Sequence, residues 1–341
     1  MIRRGLPVKK FILILTLTAL SGLAKAQDYI YSQFYNAPVY LNPALTGQFK
    51  GAFRMNMIYR NQWSGMEGDL SYLTASADYQ FKNINGGVGL MVNSSNEGTA
   101  YLKKNNLAGT YSYNVGGGRF MASFGLQAGI TNSSVDFSKF VFSDQIDPRT
   151  GFGGYASMAE IPVNNSKYYF DAGAGVNLVM GNAMVGASML HLNKPNESFT
   201  GSSLPTPVRT AIHASYRYAL DRYDPYDEGG SFLIPSVIYY KQAQATSLSA
   251  GLQFKKRGVN AGLWYRSTGK GANESLVLSL IFDIFTNPFK NQKVRLGVSH
   301  DASTGKVSYG NTSGSSEVSV GFETGEPREN SFSDVKCYDF Y

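Results

Sequence analysis

The sequence alternates between apolar and polar residues along most of its length. In the segment SLVLSLIFDIF, residues 275–285, Leu276 and Leu278 fall on one face of an extended chain, and Ser279 and Asp283 fall on the other. Because successive side chains of a β-strand point to opposite sides, this period of two predicts a strand with one apolar and one mixed face. The chain is therefore predicted to be all-β. About fourteen such strands are predicted, at residues 52–62, 70–81, 86–95, 100–114, 119–131, 168–180, 183–190, 208–220, 230–241, 246–256, 258–267, 274–285, 293–301 and 315–323.

The connections between these strands alternate between short and long. The short ones contain KNIN, GGG, GN and KKRG, whereas the longest runs from about residue 132 to residue 167. The segment 221–230 is an exception, because it is long where the alternation predicts a short turn. An even number of strands with alternating short turns and longer loops is typical of transmembrane antiparallel β-barrels of the outer membrane.

A soluble β-sandwich is the alternative to a membrane barrel. Its polar face would meet water and be rich in Lys, Glu and Asp, but only 16% of the residues are charged. The polar faces carry mainly Ser, Gly, Asn, Thr and Gln, which suits an enclosed lumen, while the apolar faces suit contact with lipid. Aromatic residues near strand ends are expected at the membrane interfaces, and they include Trp63, Tyr101, Tyr113, Tyr168, Tyr218 and Tyr239.

The first 26 residues have the pattern of a secretory signal peptide. A basic start precedes the apolar run FILILTLTAL, and Ala24 and Ala26 place small residues where a signal peptidase cleaves. An uncleaved anchor is the alternative, but the run is shorter than the roughly 20 apolar residues of a membrane helix. The predicted organisation is a signal peptide at 1–26, a periplasmic N-terminal segment at 27–50, an outer-membrane barrel at 51–323 and a periplasmic tail at 324–341.

The basic character of the whole chain comes from the signal peptide. The formal charge is +7, and five of the 31 basic residues lie in the first 26 residues, which contain no acidic residue. The remainder has 26 basic and 24 acidic residues, so its charge gives no indication of a nucleic-acid partner. Cys337 is the only cysteine, which excludes an internal disulfide.

No arrangement of residues in the sequence indicates catalysis. The three histidines, His191, His213 and His300, lie in different segments without the spacing of a metal site. The glycine-rich stretches GGVG and GGGR are not followed by a predicted helix, so they indicate turns and strand starts rather than phosphate loops. We therefore expect no enzymatic activity, cofactor or metal. A hydrolase that assembles Ser, His and Asp from separate strands is the alternative that the sequence leaves open.

Charged residues recur on the polar faces of the predicted strands. They are predicted to face the lumen, where they form either a selectivity lining or a network of ion pairs. The network is favoured, because a buried charge without a partner is costly. The basic residues of this set are Arg54, Arg60, Arg209, Arg217 and Arg266, and the acidic ones are Asp78, Asp171, Asp283 and Glu317.

The segment YSQFYNAPVYLNPALTG, residues 31–47, is apolar but fits neither a strand nor a long helix, because Pro38 and Pro43 interrupt both. Its aromatic side chains need burial, although it precedes the first predicted strand. We predict that it folds into the periplasmic mouth of the barrel, constricts the lumen and offers a surface to partners. A loose leader with a single anchor is the alternative. The candidate plug and contact residues are Phe34, Tyr35, Tyr40, Asn42, Pro43 and Gly47.

Two N-terminal motifs carry a family resemblance. SQFYNAPVYLNPALTG is followed by YRNQWSG, which contains Tyr59, Arg60, Gln62 and Trp63. Weaker matches follow in order, among them SMLHLNKP, IPSVIYYK, GLWYR and LGVSHD. The chain resembles the PorP/SprF family of outer-membrane proteins, which are associated with the type IX secretion system of Bacteroidetes. It departs from the family pattern around the last strand and in the tail that contains Cys337.

The resemblance implies a non-enzymatic barrel in the outer membrane. An even number of strands with the N-terminus in the periplasm places both termini there. The implied role is export or surface attachment of a large adhesin that carries a C-terminal sorting domain, as in gliding motility. The implied partners are outer-membrane lipids, that adhesin, periplasmic type IX components and a peptidoglycan-binding lipoprotein. The alternative is a general porin or an uptake channel for hydrophobic solutes.

Overall fold

The computed structural model describes residues 28–66, 68, 70–81, 84–98, 102–117, 120–159, 162, 164–221, 230–269, 274–287, 292–305 and 308–324. The predicted signal peptide, the tail from residue 325 onwards with Cys337, and Tyr101 all lie outside the described residues.

Fourteen strands form one antiparallel sheet, so the prediction of a barrel with about fourteen strands is confirmed. The first seven are β1 (Phe53–Gln62), β2 (Leu70–Phe81), β3 (Gly86–Glu97), β4 (Leu102–Gly117), β5 (Phe120–Ser134), β8 (Ser166–Met180) and β9 (Ala183–Leu190). The others are β10 (Arg209–Tyr216) with its continuation β11 (Tyr218–Ala219), β12 (Ser231–Gln242), β13 (Ala245–Lys256), β14 (Val259–Thr268), β15 (Glu274–Asn287), β16 (Gln292–Ser303) and β17 (Ser315–Thr324).

Two local features of the sheet were not predicted. The eighth strand is interrupted at Arg217, whose backbone N–H donates to the carbonyl of Asn182, 2.9 Å away. The long connection after β5 contains a separate two-stranded hairpin, formed by β6 (Ile146–Asp147) and β7 (Gly151–Phe152). The hairpin is too short to show the apolar alternation, whereas the alternation continues across Arg217 from Tyr216 to Tyr218, so the sequence carried no signal for either feature.

The sheet closes on itself between its first and last strands. β1 pairs with β2 on one side and with β17 on the other, from Phe53 opposite Thr324 to Gln62 opposite Ser315. β10 pairs with both β9 and β12, which completes the ring. Within the described residues, closure gives each strand of the ring a hydrogen-bonded neighbour on both sides. This suits a membrane, where no water can satisfy unpaired backbone groups.

The two ends of the barrel differ in their connections. At the end where β1 begins and β17 ends, called the turn end here, β8 and β9 are joined by two residues and β13 and β14 by two. At the opposite end, called the loop end, β5 and β8 are separated by 31 residues and β9 and β10 by 18. The join between β12 and β13 departs from this rule, because it has only two residues at the loop end.

The two faces of each strand differ as the alternation predicted. On β15, Leu276, Leu278 and Leu280 point outward and are exposed on the isolated chain, as expected of side chains that contact lipid. The inward face is mainly polar, but it also includes apolar side chains such as Val277 and Ile281, both almost fully buried. Apolar residues on the inside imply that the lumen contains protein rather than only water.

The helices of the described part are single turns, and none of them is long and apolar enough to cross a membrane. Three turns lie before β1, at Phe34–Asn36, Pro38–Leu41 and Pro43–Leu45. The other three lie in connections at the loop end, at Phe137–Lys139, Ser143–Gln145 and Tyr309–Thr312.

Candidate functional site

Residues 28–49, called the inner segment here, lie inside the barrel. Every residue from 31 to 49 is buried. The segment contacts inward-facing side chains on both sides of the ring: Ser32 Oγ donates to Asp301 of β16, and Ser188 Oγ of β9 donates to the carbonyl of Leu41, each at 2.7 Å. The barrel wall therefore encloses the segment.

The inner segment runs the length of the lumen, which corrects its predicted position at one mouth. The backbone N–H of Asp28 donates to Oε1 of Gln242 over 2.7 Å, at the loop end of β12. The N–H of Gly47 donates to Oδ2 of Asp78 over 2.7 Å, near the turn end of β2. The sequence contains no local signal for this path, because both contacts are made to distant strands.

Prolines shape the inner segment into three short turns. Pro38 and Pro43 each occupy the first position of a turn, where the missing N–H has no partner to lose. Asn42 separates these two turns, and its side-chain oxygen accepts the N–H of Ala44 at 2.9 Å. Gly47 has a φ of +69°, and a Cβ there would lie 2.8 Å from Cα of Gly87, so the close approach to β3 requires glycine.

Apolar side chains of the inner segment pack against opposite sides of the wall. Tyr31, Ala37, Val39 and Tyr40 pack against Ile58, Tyr72, Met91 and Ala108 of β1 to β4. Phe34, Tyr35, Leu41 and Leu45 pack against Met121, Val179, Met184, Ala211, Ile238, Tyr240, Trp264, Val277 and Ile281 of the remaining wall. The inner segment is thus the centre of the hydrophobic core, which explains its apolar sequence.

A buried cluster of charges holds the first turn of the inner segment. Nη1 of Arg60 contacts Glu317 and lies 3.0 Å from Oδ2 of Asp301, and Nη1 of Arg266 also lies 3.0 Å from that oxygen. The N–H groups of Ser32 and Gln33 donate to the Glu317 carboxylate over 2.7 and 2.8 Å. Both carboxylates therefore connect wall arginines to the backbone or side chain of the inner segment.

A second ion pair holds the last turn. Nη2 of Arg54 lies 2.7 Å from Oδ2 of Asp78, and the same nitrogen donates to the carbonyl of Leu45 over 3.1 Å. Arg54 also donates to the carbonyl of Gln48 and lies 4.7 Å over the ring of Phe49. The pair thus joins β1 and β2 to the end of the inner segment.

A histidine links the start of the inner segment to the loop end. Nε2 of His191 lies 2.7 Å from Oδ2 of Asp28, and Nδ1 lies 3.0 Å from Oδ1 of Asp171. Burial disfavours the charged imidazole, but Asp28 and Asp171 outweigh it and raise the pKa of His191 to about 10. His191 is therefore positively charged at neutral pH and bridges two carboxylates.

Glycines form the wall where the middle of the inner segment comes closest. Gly125 of β5 and Gly175 of β8 stand opposite each other in the sheet. A Cβ at Gly125 would lie 2.1 Å from the backbone nitrogen of Ala44, and one at Gly175 would lie 2.0 Å from Oδ1 of Asn42. These two glycines, called the glycine seat here, leave room for Asn42. Its Nδ2 donates to the carbonyl of Val176, 2.9 Å away.

The residues proposed from the sequence are found in distinct environments. Phe34, Tyr35, Tyr40, Asn42, Pro43 and Gly47 are all buried within the lumen. In the motif YRNQW, Tyr59 points outward and Arg60 inward, while Gln62 accepts a hydrogen bond from Nε of Arg60 at 3.3 Å and the Trp63 N–H donates to the carbonyl of Gly314.

The lumen charges form contacts with specific partners rather than a row along an open channel. Asp283 pairs with Arg295 at 2.6 Å, and Arg217 lies 5.0 Å over the ring of Phe232. Sequence reasoning did not single out Arg295 or Asp301, although both lie at inward positions of the period-two pattern of β16. Ser32 carried no signal, because its role depends on contacts across the lumen.

Side chains that could hold a metal are not clustered in the described part of the chain. No group of three or more His, Cys, Asp or Glu residues there has a suitable arrangement. Asp28, His191 and Asp171 form a linear bridge, with the imidazole between the two carboxylates.

A closed antiparallel barrel with an apolar outer face, a mainly polar inner face and short turns at one end defines the class of outer-membrane β-barrels. The chain belongs to the PorP/SprF family: the family profile described as "Type IX secretion system membrane protein PorP/SprF" matches residues 23–322. The resemblance drawn from the sequence motifs is therefore confirmed, and the protein is an outer-membrane protein of a type IX secretion family.

Three solved structures are similar to this chain over most of its length, at low sequence identity and with TM-scores below 0.5. The toluene transporter TbuX of Ralstonia pickettii has 10% identity and a TM-score of 0.49, with 85% of this chain and 94% of that chain covered. The toluene transporter TodX of Pseudomonas putida has 11% identity and a TM-score of 0.47, with 86% and 93% covered. Omp33 of Acinetobacter baumannii has 8% identity and a TM-score of 0.43, with 81% and 98% covered. No curated protein matches the sequence.

Proposed function

We propose that this protein is a non-enzymatic, plugged barrel of the type IX secretion system, which supports export or surface attachment of a large adhesin. The observation that carries the proposal is the burial of residues 31–49 inside the barrel, bonded to opposite sides of the wall. A diffusion channel needs a continuous aqueous path, and a lumen occupied by a packed core disfavours one. A filled barrel is better suited to binding other proteins at its two ends.

The orientation of the barrel assigns a partner to each end. Short turns of outer-membrane barrels face the periplasm, so we place the turn end there. The tail that follows Thr324 then begins in the periplasm, where it is available to type IX components and to a peptidoglycan-binding lipoprotein. The loop end faces outward and offers its long connections to the adhesin. Asp28 lies at this outer end of the lumen, so in this orientation only the C-terminal tail starts on the periplasmic side.

The longest connection at the loop end supports the adhesin assignment. Its described part exposes Phe152, Tyr155 and Met158, the last with 94% of its surface accessible. Exposed apolar groups on a connection outside the strands of the ring are typical of protein contact sites. We propose that residues 135–165 bind the C-terminal sorting domain of the adhesin.

The test combines partner recovery with conductance. The tagged protein is purified from its own outer membrane, its partners are identified by mass spectrometry, and it is reconstituted in planar bilayers. We expect recovery of type IX components and an adhesin, together with little conductance. A barrel recovered alone that conducts solutes would instead support the porin or uptake-channel alternative.

A variant without residues 28–47 tests whether the inner segment blocks the lumen, because it can be compared directly with the original protein. We expect this variant to insert and to conduct ions, because the backbone hydrogen bonds that pair its strands with each other do not involve the inner segment. A variant that lacks residues 150–158 of the long connection is the control, and it should lose the adhesin without gaining conductance. Unchanged conductance after deletion of residues 28–47 would contradict the proposal that the inner segment blocks the lumen.

A further inference from the structure

The connection between β9 and β10, residues 191–208, folds over the lumen at the loop end and is called the lid here. Oε2 of its Glu197 accepts a hydrogen bond from Nζ of Lys104 in β4, 2.9 Å away. Oε1 accepts one from the hydroxyl of Tyr169 in β8, 2.8 Å away. Lys104 and Tyr169 lie at inward positions of the period-two pattern of their strands. Glu197 therefore holds the lid to the inner side of the wall.

The middle of the lid has an ordered structure of its own. Asn196 and Pro205 lie opposite each other in an isolated β-bridge. The N–H of Glu197 donates to the carbonyl of Leu204 over 3.0 Å, and the N–H of Leu204 donates to Oδ1 of Asn196 over 2.9 Å. These bonds hold residues 196–205 together, so a force on one part of the lid reaches the rest.

Both ends of the lid are bonded to the start of the inner segment. Nε2 of His191, the first residue of the lid, lies 2.7 Å from Oδ2 of Asp28. Near the other end, the carbonyl of Pro207 accepts a hydrogen bond from Nε2 of Gln242 over 3.3 Å. The same nitrogen donates to Oδ2 of Asp28, also over 3.3 Å. Asp28 is therefore an anchor that the lid and the inner segment share.

A cavity of about 80 Å³ separates the lid from the inner segment elsewhere. Glu197 of the lid and Tyr29 of the inner segment both line it. A closely packed interior resists displacement, whereas a cavity leaves space into which side chains can shift. The lid and the start of the inner segment thus have room to move at the point where they meet.

The lid also contacts the longest connection of the loop end. The ring of Phe199 in the lid lies 6.3 Å from that of Phe137, edge to face. Phe137 belongs to residues 135–165, which we assign to adhesin binding. Consecutive contacts therefore lead from that surface through the lid to Asp28.

We propose that the lid and the start of the inner segment are coupled, so that displacement of one releases the other. A partner that binds residues 135–165 displaces the lid through Phe199 and thereby loosens residues 28–31. This last step rests on the proposed function, whereas the coupling itself does not. Coupling between two sites is reciprocal, so release of Asp28 must also loosen the lid.

The test measures hydrogen exchange of the intact protein in lipid nanodiscs. Glu197→Gln removes the charge that holds the lid to Lys104, and exchange of residues 28–31 should accelerate about tenfold. Glu323→Gln is the matched control, because the Lys293–Glu323 pair at the turn end has the same side-chain exposures, 20% and 15%, and a similar distance of 3.0 Å. It should leave exchange of residues 28–31 unchanged. Equal acceleration in both variants, or none in Glu197→Gln, would overturn the proposal.

A second variant removes the middle of the lid and keeps the bonds at its two ends. Residues 197–204 are replaced by two glycines, which can join Asn196 to Pro205 because these residues already lie opposite each other. Exchange of residues 28–31 should accelerate at least as much as in the first variant, while heat-modifiable migration shows that the barrel is intact. An intact barrel with unchanged exchange would count against the coupling.

The reverse direction is tested with Asp28→Asn, which keeps the shape of the side chain but removes its charge. Exchange of residues 196–205 in the lid should accelerate, and exchange within β1 should not change. A lid that remains as protected as in the original protein would refute the coupling. None of these measurements includes an adhesin, so their failure leaves the proposed function standing, and failure to recover an adhesin leaves the coupling standing.

Discussion

At the scale of single residues, buried charges connect the wall of the barrel to the inner segment. Arg60 contacts Glu317 and Asp301, and these carboxylates accept hydrogen bonds from Ser32 and Gln33. A buried ion pair contributes little net stability compared with apolar residues, but loss of one partner leaves an uncompensated charge. These residues therefore select one position of the inner segment among the many that its apolar side chains would allow.

Arg60→Gln tests this role. The change leaves Glu317 without its wall arginine, so we expect the free energy of unfolding to fall by about 3–5 kcal/mol. The measurement is denaturant unfolding of the protein refolded in lipid vesicles. The double variant Arg60→Gln with Glu317→Gln removes both charges and should recover part of the loss. A single variant as stable as the original protein would show that the cluster does not hold the inner segment.

The His191 bridge predicts a pH dependence. The pKa of His191 is raised from its ordinary value near 6.5 to about 10 in the folded protein. Its contribution to stability is therefore complete below about pH 6.5 and declines as the pH rises through 10. Hydrogen exchange of residues 28–31 should accelerate between pH 7 and 10 beyond the intrinsic increase in exchange rate. In His191→Leu this excess should disappear, and an excess that persists in the variant would assign it to another group.

At the scale of elements, alternation along the strands and prolines in the inner segment are local properties, and both were correctly interpreted. Each strand exposes its apolar face and turns its polar face inward, as β15 does with Leu278 outside and Ser279 inside. The glycine seat is a property of two elements together. The strands themselves do not require glycine at positions 125 and 175. Glycine is needed there because a Cβ would overlap Ala44 and Asn42 of the inner segment.

Gly125→Ala tests the seat. The added methyl group would overlap the backbone of Ala44, so the inner segment must shift, at an expected cost of about 1–3 kcal/mol. Gly109→Ala on β4 is the matched control, because its Cβ would approach nothing closer than 4.0 Å. Both variants should insert as barrels. The temperature of thermal unfolding, measured in vesicles, should be lower than that of the original protein only for Gly125→Ala. Equal unfolding temperatures for the two would contradict the contact.

At the scale of the whole molecule, the closed ring and the filled lumen are separable. The strand-pairing hydrogen bonds of the ring join neighbouring strands only, whereas the inner segment contributes the centre of the apolar core. Trp264 reports on this core, because it is 2% exposed and lies 5.2 Å from the ring of Phe34.

Deletion of residues 28–47 should therefore leave a barrel whose lumen admits water. In a Trp63→Phe background, which leaves Trp264 as the only tryptophan, iodide should quench fluorescence strongly after the deletion and weakly before it. Barrel integrity is checked by heat-modifiable migration in gel electrophoresis. A heat-modifiable barrel with Trp264 still protected from iodide would show that the lumen is closed by something other than the inner segment.

The sequence by itself determined the strands, their faces, the barrel class and the family, because alternation and motif spacing are recorded in consecutive residues. It also indicated that residues 31–47 need burial. Only the tertiary structure decided where that burial occurs: the segment was expected at the mouth where β1 begins, but it extends along the lumen to Gln242 and His191. The pairing of Arg60 with Asp301 and the meeting of Gly125 with Ala44 were also decided there. These contacts join residues far apart in the chain, and their geometry exists only after the ring has closed around the inner segment.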